Sequence, residues 1–297
     1  LNHGKIIPML SSNQIGAIYM AISALSFSIM DVLVKFMSAT YPTGEIIFFR
    51  GFFGLIPIIF IIPRERYKNF FQTTKLALHL TRAIIGAIAM IGIYLGVKFL
   101  PLADAITITF AAPVFATIFS MIILKEQVRM YRWAAIIIGL IGVAVVLKPG
   151  TDMFTIYSLF PILFCVGFGI IAVLIKKLSE TEPDYLIAIY FTLTLITVGA
   201  CSLFFTFVIP SLQDLLPLIA IGIAGSTGNI FLTMSLRKGS VSTVTPIKYL
   251  SLVFATISGI FFFNEIPHVT TLFGAFLIIL SSVIIFKREQ IKNVKPV

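Results

Sequence analysis

The sequence predicts an all-α integral membrane protein of ten transmembrane helices, arranged as two inverted five-helix repeats. Three observations carry this. Of 297 residues, 59% are hydrophobic and only 11% are charged, against about 45–50% and about 25% in soluble domains. Apolar runs long enough to cross a hydrocarbon core, about 20 residues in helical form, recur along the chain. A segment of the first half returns in the second. The composition excludes an ordinary soluble enzyme, a disordered chain and a nucleic-acid-binding module. The net charge of +10 is scattered between the apolar runs, which reads as membrane topology rather than affinity for nucleic acid.

The ten stretches are 14–38, 44–63, 76–98, 101–124, 130–148, 154–178, 184–209, 214–236, 240–263 and 269–287. The connections are short and hold most of the charge. The first run is too long for a cleaved signal and contains Asp31 and Lys35, so it is expected to remain as a membrane helix. Starting with the N-terminal segment, alternate connections hold 16 of the 22 basic residues, the opposite set holds 3, and Arg50, Arg82 and Lys248 lie within spans. That bias places both termini in the cytoplasm. The absence of strand-like alternation excludes an outer-membrane barrel.

The repeat is carried by VFATI at 114–118 and again at 253–257, an offset of 139 residues. At the same offset Glu126 meets Glu265 and Lys148 meets Lys287, and residues 113–148 share 7 identities with 252–287 over 36 gapless positions. Spans 4–5 therefore correspond to spans 9–10, dividing the chain into halves 1–150 and 151–297. Five spans is an odd number, so two like halves joined in series lie inverted, a recurrent plan of secondary transporters.

Chemistry-bearing motifs of enzymes are lacking. There is no phosphate-binding loop, no HExxH and no GxSxG elbow. His3, His79 and His268 are separated, and Cys165 and Cys201 are far apart. No catalytic residue, metal ligand set or cofactor is expected. A repeated pore-lining filter, the usual mark of a channel, is also missing.

Charges within spans are costly and mark either function or buried pairs. Asp31 and Lys35 are four residues apart on one face of span 1, so they either neutralise each other or flank a cavity. Arg50 has no acid within one helical turn and needs a partner from another helix, Asp31 for instance, or an anionic group. Lys248 lies too deep in span 9 for simple snorkelling and is expected at a cavity. Arg82 stands near the cytoplasmic end of span 3 and reads as a snorkelling residue. Pro113 and Pro246 interrupt spans 4 and 9 and free backbone carbonyls at helix breaks or gates. Thr107 could add a hydroxyl, Asn229 an amide, and Tyr94, Phe110, Phe168 and Tyr249 aromatic walls. Glu126 and Glu265 precede spans 5 and 10, where they suit the N-terminal helix dipole or carry a coupling proton. Gly222, Gly225, Gly228, Gly92 and Gly96 permit close helix approach.

This pattern resembles the drug/metabolite transporter superfamily, EamA type, with ILKEQ at 123–127 and FFNEI at 262–266 matching the glutamates that end the fourth span of each repeat. MDVLVK at 30–35, EIIFFR at 45–50, TRAIIG at 81–86, TVTPIKYLSLV at 243–253 and FNEIPHVTTLFGA at 263–275 resemble the branch of S-adenosylmethionine uptake transporters. That branch typically has arginine where this chain has Lys248, which keeps the charge but not the planar fork. The resemblance implies a cavity lined by spans 1, 3, 4, 6, 8 and 9, in a bacterial inner membrane. The expected function is secondary transport or exchange of a small polar metabolite, such as S-adenosylmethionine or an amino-acid-like zwitterion, by alternating access. Rival readings are export of amino acids or toxic metabolites, and a non-transporting scaffold or channel. Expected partners are the small-molecule substrate, membrane lipid, a proton or counter-substrate and a second copy of the chain, but no nucleic acid.

Overall fold

The structure is a computed structural model that describes residues 12–66, 71–125, 130–147, 155–239, 244, 247, 248, 250–277 and 279–280. The helices are α1 (Ser12–Met37), α2 (Thr43–Ile61), α3 (Leu76–Phe99), α4 (Leu102–Thr109), α5 (Ala112–Leu124), α6 (Met130–Leu147), α7 (Leu159–Leu178), α8 (Asp184–Leu203), α9 (Leu212–Lys238) and α10 (Leu250–Phe263). Residues 269–277 are also helical. Among the described residues, seven helical segments are long and apolar enough to cross a membrane, with α4 and α5 together forming one of them. Large apolar side chains cover the outside: Phe60, Phe204 and Leu212 are each more than 80% exposed. That outward face fits hydrocarbon, not water.

Helices distant in sequence do the packing. α1 packs most extensively on α9, α3 on α7, and α2 lies against both α8 and α9. Small residues allow this closeness. A β-carbon added at Gly222 would fall 2.9 Å from the Gly54 backbone nitrogen, so α2 and α9 touch backbone to backbone. Two hydroxyls then fasten α1 to α9: Ser23 donates to the Gly228 carbonyl at 2.8 Å and Ser235 donates to the Gly16 carbonyl at 2.7 Å. Without a hydrophobic force between helices in lipid, close packing and such hydrogen bonds supply the attraction.

Two boundaries differ from the sequence reading. Span 4 is two helices, broken at Phe110 and Ala111. Pro113 stands in the first turn of α5, where a missing N–H costs nothing. The Ile108 carbonyl at this break accepts from the Ala111 amide and, at 3.2 Å, from the Cys165 thiol on α7. The helix of span 7 stops at Leu203 rather than 209. Pro210 disfavours helix at the residue before it, and the Val208 amide instead donates to Glu45 Oε2 at 3.0 Å. Within span 9 a helix runs over Leu250–Phe263, and of the stretch before it only residues 244, 247 and 248 are described, all helical. Pro246, Tyr249 and Glu126 lie outside the described residues.

Gly222→Ala is expected to destabilise the protein by ~1–3 kcal/mol through overpacking. Thermal unfolding in detergent measures this, and an unchanged midpoint would contradict the α2–α9 contact.

Candidate functional site

A cavity with about 750 Å³ of atom-free space, part of it open to solvent, lies where α1, α2, α3, α4, α7, α8 and α9 meet. Each helix contributes through its inward face. Phe27, Met30 and Asp31 come from α1, Arg50 from α2, Arg82, Gly86 and Met90 from α3, and Ile106 and Thr109 from α4. Phe164 and Phe168 on α7, Phe191 on α8, Asn229 on α9, and Lys248 and Ser251 complete the wall.

The charge balance is uneven. Three cations, Arg50, Arg82 and Lys248, face one carboxylate, Asp31. Aromatic rings hold the cations in place. The guanidinium carbons of Arg82 and Arg50 lie 4.1 Å and 5.6 Å from the Phe191 ring centroid, and Lys248 Nζ lies 4.6 Å from Phe164 and 4.4 Å from Phe168. Such contacts are worth ~0.5–2 kcal/mol, more when desolvated. Arg50 Nε also donates to Met30 Sδ at 3.2 Å, and the Tyr94 hydroxyl meets the same sulfur at 3.4 Å. Gly225 makes room for this, since a β-carbon there would come within 2.6 Å of Arg50 Nε. Asp31 lies within electrostatic reach of Lys248 and Arg50.

The sequence placed Asp31, Arg50, Phe168, Asn229 and Lys248 as candidates, and all five line the cavity. Others go elsewhere. Lys35 does not pair with Asp31: its Nζ lies 2.6 Å from Glu265 Oε1 and donates to the Leu100 carbonyl at 2.9 Å. One helical turn carries Lys35 beyond Asp31, to a level where the connection before residue 269 offers a closer acid. Glu265 does cap a helix, but not the next one in sequence. Its Oε2 accepts from the Leu102 amide at 2.7 Å, at the N-terminus of α4. Thr107 is fully buried and spends its hydroxyl on the Ala103 carbonyl at 2.6 Å. Tyr94 and Phe110 are buried outside the cavity wall.

Arg82 was misread from sequence. It is 2% exposed and donates from Nη2 to Asn229 Oδ1 at 2.8 Å. Its depth in α3 is close to that of Arg50 in α2: Arg82 lies six residues after Leu76 and Arg50 seven after Thr43. That similar depth, with Gly86 one turn further on, was the available signal. Phe191 and Phe164 gave none among 29 phenylalanines.

The profile of the EamA-like transporter family matches twice, over residues 14–148 and 155–287. The chain belongs to this family. It is a multi-pass membrane protein and a transporter of small molecules, not an enzyme. Among its relatives, the S-adenosylmethionine uptake transporter of Rickettsia prowazekii is 29% identical over 93% of this chain and 93% of the relative. The pseudopaline exporter of Pseudomonas aeruginosa is 27% identical, covering 93% and 97%, and the riboflavin transporter of Rhizobium johnstonii is 25% identical, covering 95% and 94%. A solved crystal structure shares the fold, with a TM-score of 0.67 at 18% identity over 93% of this chain and 97% of that one.

Glu265→Gln keeps an acceptor for the Leu102 amide but loses the ion pair, whereas Glu265→Ala loses both. Loss of a charge-assisted bond costs ~1.5–3 kcal/mol and of a cap typically ~1 kcal/mol more. Thermal midpoints should therefore fall in the order parent, Gln, Ala. A Gln variant as stable as the parent would contradict the described ion pair.

Proposed function

We propose that the chain is a secondary carrier or exchanger that moves a small zwitterionic metabolite by alternating access. S-adenosylmethionine or an amino-acid-like zwitterion has the matching charges. The observation that carries this reading is the cavity itself: three cations and one carboxylate, drawn from both halves of the chain and enclosed by aromatic rings. Arg50 and Lys248 add to the positive field that draws an anionic group into the cavity, and Asp31 meets the cationic group. Phe164, Phe168 and Phe191 offer flat surfaces to the rest of the molecule.

The moving parts in this reading are two inverted five-span halves, 1–150 and 151–297, within ten spans. Matched details support the division. Among the described residues, the two non-glycine residues with positive φ are Lys125 at 54° and Asn264 at 53°, at the 139-residue offset of the repeated VFATI. VLVKFMSATYP at 32–42 also corresponds to VLIKKLSETEP at 173–183. Lys35 donates to the Leu100 carbonyl, and its counterpart Lys176 donates to the Leu236 and Gly239 carbonyls at 3.1 Å and 3.2 Å. Ser38 and Ser179 each donate back to those lysines' carbonyls. Tyr41 reaches Asp214 at the start of α9, while its counterpart Glu182 accepts from Thr73 just before α3. Each half thus grips the other through equivalent elements. The distribution of basic residues supports both termini in the cytoplasm, and similarity to bacterial relatives of the family supports an inner-membrane location.

Export is the second reading of direction. Similarity to the pseudopaline exporter favours it about as much as similarity to the S-adenosylmethionine uptake transporter favours uptake. The gradient and the exchange partner set direction in either case.

Lys248→Ala and Asp31→Asn, each reconstituted at parent density, are expected to lower transport of the zwitterion ~10-fold or more, as losing a charge-assisted contact implies. A Lys248→Ala carrier that moves every tested solute at the parent rate would refute the cavity as the binding site.

A further inference from the structure

The cavity is crowded with positive charge, yet its cations are not equally engaged. Lys248 lies over two aromatic rings, and Arg50 is occupied by Met30 and by interaction with Tyr94. Arg82 differs. One face of its guanidinium lies against Phe191 at 4.1 Å, and Nη2 is fixed on Asn229 Oδ1 at 2.8 Å. Among the described residues, its Nε and Nη1 are buried without a hydrogen-bond partner, and so is Asn229 Nδ2. Two side chains, 2% and 3% exposed, therefore hold three unused donor atoms beside one cavity.

Such an arrangement is costly when empty. A buried donor left unsatisfied forfeits its hydration without return, and an uncompensated buried charge forfeits more. The cavity's own acceptors do not relieve it. Thr109 and Ser251 turn their hydroxyls to the Ile106 and Lys248 carbonyls. Asp31 interacts with Lys248 and Arg50. Gly86, one turn along α3, lets the Phe191 ring close in beside Arg82: a β-carbon there would lie 2.8 Å from that ring and 3.6 Å from Arg82 Nη1.

We propose that Arg82 and Asn229 together form the subsite for the carboxylate of the transported molecule. The carboxylate accepts from the guanidinium and from the Asn229 amide at once, with Phe191 fixing the plane of the guanidinium. A carboxylate has about four lone-pair sites and uses a planar fork better than a single ammonium. The amine or sulfonium end of the molecule then lies toward Asp31. This assignment rests on the reading of the cavity as a zwitterion site and adds which residues select for the acid group.

The test compares ligands with and without the carboxylate. S-adenosylmethionine and methionine, and the decarboxylated form of each, are titrated against the purified protein while the thermal midpoint is followed. The parent should respond to the carboxylate forms at concentrations at least tenfold lower. Arg82→Gln should lose that preference, and Arg82→Lys should retain part of it. Asn229→Asp guards against misfolding, because the new carboxylate pairs internally with Arg82; it should fold well and lose the preference too. Variants that keep the parent's preference, or that weaken both forms of each ligand equally, overturn the subsite. If the parent responds to none of these four, the zwitterion reading fails, and succinate against succinamide decides the subsite alone. An Arg82-dependent preference for succinate upholds it, and no preference overturns it.

Discussion

Hydrocarbon offers no water to a charged group, so every cation carried into the membrane must be met from within the protein or by what the protein binds. That constraint organises the molecule. Arg50, Arg82 and Lys248 all reach one cavity from three different parts of the chain, and among the described lining residues only Asp31 answers them in kind. Phenylalanine rings take over part of the task. They attract the cations weakly and keep lipid away, but they do not cancel the charge. On the proposed reading, the remaining imbalance suits the cavity to an anionic group.

The same constraint explains how the two halves are stitched. Helix ends and breaks leave carbonyls and amides that lipid does not satisfy. Lys35, Glu265 and the Leu102 amide form one such closure, and Lys176 with the Leu236 and Gly239 carbonyls forms another. The Cys165 thiol answers the Ile108 carbonyl at the break between α4 and α5. The first and last of these ties join elements on either side of residue 150, whereas the Lys176 tie lies within the second half. In the proposed alternating cycle the contacts between the halves, the α1–α9 and α3–α7 faces included, are the ones that must shift.

Much of the architecture was legible in the sequence because an apolar run needs no partner to be recognised. The seven long spans fall close to the runs read from composition. Asp31, Arg50, Asn229 and Lys248 were conspicuous because a polar residue inside such a run must have a destination. Which destination was not legible. Lys35 chooses Glu265, 230 positions away in sequence, over Asp31 on its own helix, and helical periodicity carries no information about that choice. Arg82 was hidden by its nearness to a span end, where a long side chain usually reaches for water. Here a glycine one turn on and a phenylalanine from α8 give it an interior place instead. Thr107 failed for the opposite reason: its own helix supplied an acceptor four residues back.

The central claim is that this cavity carries a zwitterion across the membrane by exchange. Counterflow tests it most directly. Proteoliposomes preloaded with unlabelled S-adenosylmethionine or methionine are given the labelled form outside at a much lower concentration. The account predicts saturable, transient accumulation of label above the equilibrium level, dependent on the internal load. Label that only equilibrates, without saturation and without dependence on what is inside, would contradict it.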